Sequence, residues 1–206
     1  MYLLTQALLL PLAGAGYPST LSGRFVRWGP ALAAVLEIAY VSLMALLGQA
    51  SHYNVATPLT AALYTAMGVG AFVLTLAAGL LALAIWRQPP QGQALMRQAA
   101  VAGLTLTCVL GLVGGFVMSS GTSNRVGGGS LPGDVPVLGW SRHHGDQRVA
   151  HFLALHAVQA LPLLALGLSK LRWSAPRARI VLNGSAGLYA LFAAGLFVQA
   201  LMGQPF

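Results

Sequence analysis

Hydrophobic positions in this chain do not alternate. They come in long unbroken runs over about 2–16, 30–49, 59–86, 99–120, 149–169 and 180–202, separated by short stretches that hold nearly all the charge. A helix needs roughly 20 apolar residues to cross the hydrocarbon layer. The pattern therefore predicts an all-α, polytopic transmembrane bundle with six candidate spans, in a single integral membrane domain over 1–206. Transmembrane strands would alternate apolar and polar residues, which excludes a barrel. The first run is the weakest candidate. It is short, contains Pro11 and ends in "AGAGYPS", loosely like a signal-peptide cleavage site, but it has no basic leader and is read as a helix. The run at 59–86 exceeds a bare span and is expected to tilt or protrude.

Composition agrees with this reading. Apolar residues make up 57% of the chain and charged residues 7%, too few to build an aqueous surface. The net charge of +8 would suggest nucleic acid in a water-soluble protein. Here the basic residues sit between apolar runs, so the expected partner is the lipid bilayer and not nucleic acid. Eight of the eleven Lys and Arg fall in the segments 17–29, 87–98 and 170–179 (Arg24, Arg27, Arg87, Arg97, Lys170, Arg172, Arg177, Arg179). The positive-inside tendency makes those segments cytoplasmic. Both termini and the glycine-rich loop 121–148 are then expected outside. That loop has no phosphate-loop signature and reads as a connector or lid. Gly111 and Gly115 have the spacing of close helix packing. The single cysteine, Cys108, allows neither an intrachain disulfide nor a cysteine-rich metal site.

The chemistry-bearing residues cluster in two stretches. Glu37, in "AVLEIAYVSLMALLGQ", is the only carboxylate inside a run, with Tyr40 and Met44 on the same helical face. An ionised carboxylate at that depth is costly, so it is expected to be neutral, paired or facing water. Ser51, His52 and Asn54 follow at the outer interface. In "GDQRVAHFLALHAVQALPLLAL", taking Arg148 as zero and about 100° per residue, Gln159 falls near 20°, Phe152 near 40°, His156 near 80° and His151 near −60°. The two histidines are about 140° apart and about 7.5 Å apart along the axis, unsuited to chelating one ion from a single helix. From the run boundaries, His151 lies about 3 Å, His156 about 10 Å and Glu37 about 18 Å below the outer ends. Those depths suggest His52 with His151 and Glu37 with His156, with Asp146 and Arg148 framing the entrance. His143 and His144 are expected to be solvated.

The stretches "EIAYVSLMALLGQASHYNVATPL" and "VLGWSRHHGDQRVAHFLALHAVQALPLL" resemble those of an uncharacterised family of bacterial multi-pass membrane proteins. That family carries Glu-x-x-Tyr followed by Ser-His-Phe-Asn and Thr-Pro, then Leu-Gly-Trp-Ser and Gly-Asp-x-Arg-x-x-His-Phe-x-x-x-His. The resemblance covers about residues 25–166. It implies an inner-membrane location and a shared site of Glu37, His52, Asn54, Asp146, Arg148, His151 and His156, but no reaction. The chain departs from the pattern at Tyr53, for Phe, and at Pro58-Leu59-Thr60, for Pro-Phe-Asp.

Three functions are compatible with these residues. The first is a histidine-lined redox site near the outer face, with His52, His151 and His156 as candidate ligands of haem b or a divalent metal ion. The second is an accessory or assembly subunit, in a homo-oligomer or larger membrane complex, that docks a partner through its polar face. The third is a small proton-coupled transporter using Glu37, Arg148 and the histidines. No serine triad or paired catalytic carboxylates can be assembled, so hydrolysis would need a metal-bound hydroxide. Whether the chain is an enzyme stays open at this stage.

Overall fold

The structure, a computed structural model, describes residues 2–89, 93–171 and 173–206. It is an all-α bundle: α1 (Tyr2–Leu9), α2 (Leu21–Leu46), α3 (Pro58–Arg87), α4 (Ala94–Ser120), α5 (Gln147–Lys170) and α6 (Ala175–Leu201). Among the described residues, five helices, α2 to α6, are long and apolar enough to cross a membrane. Two short strands, β1 (Arg125–Val126) and β2 (Gly145–Asp146), pair antiparallel in the α4–α5 connection.

The first apolar run is the short exception. Its helix gives way to a 3-10 turn at Leu10–Ala13, where Pro11 removes a backbone donor. Thr5 receives a hydrogen bond from Gln159, halfway along α5, and Gly14 lies against the Gln88 side chain at the end of α3. The segment thus reaches from one end of the bundle to mid-depth. The expected placement of the N-terminus concerns Met1, outside the described residues.

Caps explain several of the other boundaries. The second run begins nine residues earlier than its hydrophobicity suggests, at Leu21, because the Thr20 hydroxyl accepts from the Gly23 amide and starts the helix. Gly23 is required there, since a Cβ would stand 1.9 Å from the Tyr17 carbonyl oxygen. Helix α2 ends at Gly48 (φ +66°), where Gln49 N–H donates to Met44 O and Gly48 N–H to Ala45 O. Gly203 ends α6 in the same way. Thr57 and Thr60 form a reciprocal cap at the start of α3. At the opposite end of α3, Arg97 donates to the carbonyls of Ile85, Trp86 and Gln88, satisfying acceptors that the helix terminus leaves open.

The core lies where α4 crosses α3 and α5, and it is built on small residues. A Cβ on Gly103 would meet the Ala157 carbonyl oxygen at 2.7 Å, and one on Gly111 would meet Thr75 at 3.1 Å. In lipid the hydrophobic effect supplies little drive between helices, so close backbone approach and interhelical hydrogen bonds carry the association. The fully buried Thr107 hydroxyl supplies one such link, donating to Ala154 O at 3.1 Å and accepting from Val158 N–H at 3.2 Å. It bridges one rung of the α5 ladder, four residues before Pro162, through which α5 continues unbroken. Tyr189 of α6 adds a 2.6 Å bond to Leu153 O.

Candidate functional site

The α4–α5 connection is a tied structure, in contrast to the connector or lid expected from its glycines. Asp146 caps α5: its Oδ1 accepts from the Arg148 amide at 3.1 Å and its Oδ2 from Ser141 N–H at 2.9 Å. The Arg148 guanidinium grips the same carboxylate through Nε at 2.9 Å and Nη2 at 2.6 Å. A second pair, Arg125 to Asp134 at 2.8 Å, crosses the loop. Burial alone would push the Asp146 carboxyl up; the Arg148 and Ser141 donors outweigh it and hold the group below its ordinary value. Two turns follow, Val135 N–H to Trp140 O and Gly139 N–H to Val135 O, and they project a fully exposed Val137 in the left-handed region (φ +69°).

The α2–α3 connection reaches the same end of the bundle. The Tyr53 hydroxyl donates to Met118 O at the end of α4 at 3.0 Å, and its ring tilts against Tyr64 at 5.4 Å. Desolvation, then the neighbouring Tyr64 phenol, push the Tyr53 phenol up to about 12. Tyr53 itself has φ +55°. His52 is exposed, bonded to Ser51 Oγ at 3.0 Å, with its ring edge towards Tyr64 at 6.3 Å. Asn54 serves the turn, donating to Ala50 O and accepting from Ala56 N–H. Thr60 is used by the α3 cap and not by His52.

The two histidines of α5 address different neighbours, as their angular separation requires. His151 packs against α4, its Nδ1 3.3 Å from the Cβ that Gly114 lacks, and that nitrogen is buried without a partner. His156 stacks on Phe152 at 3.9 Å, and its Nδ1–H donates to Phe152 O at 2.7 Å. Phe152 in turn meets Trp140, which meets Phe206 at the C-terminus. Gln159 donates to Thr5 of α1.

Glu37 lies nine residues from the C-terminal end of α2, and His156 nine residues from the start of α5. Each thus lies about 14 Å along its own helix from that end, where the apolar runs gave unequal depths, because Gly48 and Asp146 set the helix ends. No hydrogen bond or ion pair joins them. Among the described residues Glu37 has no such partner at all, although Tyr40, on its face, donates to Ser51 O at 3.4 Å.

The structure therefore brings Asp146 and Arg148 together, leaves His52 exposed beside Tyr64, and gives His151, His156 and Glu37 no contact with one another. Among the described residues no three His, Cys, Asp or Glu side chains are placed to hold one metal ion. Residues that motif reading passed over are Arg125, Asp134, Gly139, Ser141 and Gln147. The Leu-Gly-Trp-Ser element contained two of them, but loop ion pairs leave no periodic trace. Comparison with known proteins adds no identity: no family model matches the chain, and no curated protein or solved structure matches it significantly.

Proposed function

We propose that this chain is an accessory subunit of a membrane complex, with Glu37 as the point inside the bilayer where a transmembrane segment of a second polypeptide supplies a hydrogen-bond donor. One observation carries the reading: a carboxyl near the middle of a span, half-buried, with no partner in its own chain. An ionised carboxylate there costs about 2.5–3.5 kcal/mol, so it is retained neutral or paired, and a neutral carboxyl still needs acceptors and donors. Helix α2 suits a docking role, since among the long helices it packs chiefly on α3 and beyond Pro30 it buries only Met44. The bilayer is the inner membrane, with the basic ends of α2, α3, α4 and α6 cytoplasmic and the tied α4–α5 connection and the C-terminus outside; Arg172, counted in that bias, lies outside the described residues.

The test is the mass of particles extracted from native membranes into lipid nanodiscs without detergent. The wild-type particle should exceed that of a 21.3 kDa chain with its lipid, Glu37→Gln should keep it, and Glu37→Leu should release the lone chain. A lone chain in all three ends the proposal. The histidine redox reading keeps one supporting feature, the unpartnered Nδ1 of His151.

A further inference from the structure

Gln147 and His151 are four residues apart on α5, about 40° from each other on the helix and on the face that meets α4. Gln147 is 4% exposed, and its side-chain Oε1 is buried with no hydrogen-bond partner, while its backbone N–H is used by Asn124 O at 3.0 Å. One turn deeper, His151 Nδ1 is buried and equally unpartnered. Opposite them α4 presents Gly114 and Gly115, whose missing Cβ atoms would lie 3.3 Å from His151 Nδ1 and 3.6 Å from its Cε1. Above them sits the Asp146–Arg148 ion pair, whose carboxylate is fully enclosed. Native structures rarely leave two polar atoms of one small region unsatisfied, and such groups mark bound water or a ligand.

We propose that Gln147 Oε1 and His151 Nδ1 are the two acceptors of a binding site for one water-sized hydrogen-bond donor, a water molecule or an ammonium ion, held just inside the outer end of the α4–α5 pair. An amide oxygen only accepts, and an imidazole carrying its proton on Nε2 accepts at Nδ1. Two acceptors with no donor between them select a species that offers at least two protons, which water and ammonium both do. Gly114 and Gly115 let the α4 backbone lie close against the His151 ring, so the occupant must be small. This site is separate from Glu37 and stands or falls independently of the subunit reading.

The experiment is nitrogen NMR of histidine-labelled, full-length protein in lipid nanodiscs, with and without labelled ammonium chloride against sodium chloride. His151 should carry its proton on Nε2, and Nδ1 should show magnetisation transfer from water; transfer from ammonium protons in the ammonium arm would identify that ion as the occupant. Gln147→Leu should abolish the transfer while leaving the His156 signals in place, and Gln147→Glu, which keeps the acceptor, should retain it. A proton on Nδ1 bonded directly to Gln147, no transfer from either species, or transfer unaltered in Gln147→Leu would each overturn the proposal.

Discussion

Arg125 and Arg148 meet at one atom: both guanidinium groups donate to the carbonyl oxygen of Gly139, at 2.7 and 2.5 Å. Each also holds its own carboxylate, Asp134 and Asp146, so two ion pairs from opposite strands are tied through a single peptide group. This converts a connection of low hydrophobicity into a fixed end to α5, and it sets the register of every α5 residue below it. Gly139 has φ +62°, which lets the turn aim its carbonyl at both cations.

Asp146→Asn should loosen this end of the molecule. The Asp146 side chain is fully enclosed and Arg148 is 29% exposed, so the loss belongs at the lower end of the about 3–5 kcal/mol typical of broken buried pairs. The pH dependence has a definite sign. A carboxyl held below its ordinary value stabilises the fold at pH above its unfolded value of about 3.9, and that contribution disappears as pH falls through the lower folded value. Hydrogen exchange of the Gly139 and Ser141 amides should therefore stay slow down to pH 4 and accelerate below it in the native protein. In Asp146→Asn it should be fast throughout, with no acid limb.

The strained tip gives an opposite expectation. A β-branched residue at φ +69° costs about 1–3 kcal/mol, more than the about 0.5–1 kcal/mol of added chain entropy that glycine brings. Val137 is fully exposed, so its side chain forfeits no packing on removal. Val137→Gly should raise the thermal stability of the α4–α5 connection by about 1 kcal/mol. A drop in stability would mean that the strained valine is held by contacts outside this chain.

The helix crossing was only partly legible beforehand. Long apolar runs show which segments enter the membrane, and the continuous hydrocarbon of α3 to α6 left no doubt about fold class. Which glycines make the crossing depends on rotation, and there the GxxxG reading of Gly111 and Gly115 found one of the closest approaches and missed Gly103 and the role of Thr107. Gly103→Ala should cost about 1–3 kcal/mol, because the added carbon would press on the Ala157 carbonyl, a backbone atom that cannot turn aside. Thr107→Val should cost about 1 kcal/mol through its lost bridge to Ala154 and Val158. Unfolding in a fixed lipid or detergent should rank the two in that order.

Site residues were legible by type and not by partner. The wheel separated His151 from His156 correctly, since rotation about one helix follows from sequence alone. Depth did not follow, because helix ends are set by Thr20, Gly48 and Asp146, whose capping a hydropathy profile does not register. Tyr53 shows a further limit: nothing in the sequence names the partner of its hydroxyl, which ties the α2–α3 connection to Met118 of α4. The Tyr53 phenol, pushed up to about 12, should ionise well after an ordinary tyrosine at about 10. Its stabilisation is then present below pH 10 and lost between pH 10 and 12. Tyr53→Phe should remove one late-titrating phenol from the ultraviolet difference spectrum; loss of an early one instead would contradict the placement.

Glu37 is the point on which the functional account turns. A photo-reactive side chain at Val41, one turn outward of Glu37 on α2, should cross-link in native membranes to a second polypeptide, in wild type and in Glu37→Gln but not in Glu37→Leu. Cross-links confined to this chain's own α3 or to lipid in the wild type would contradict the account.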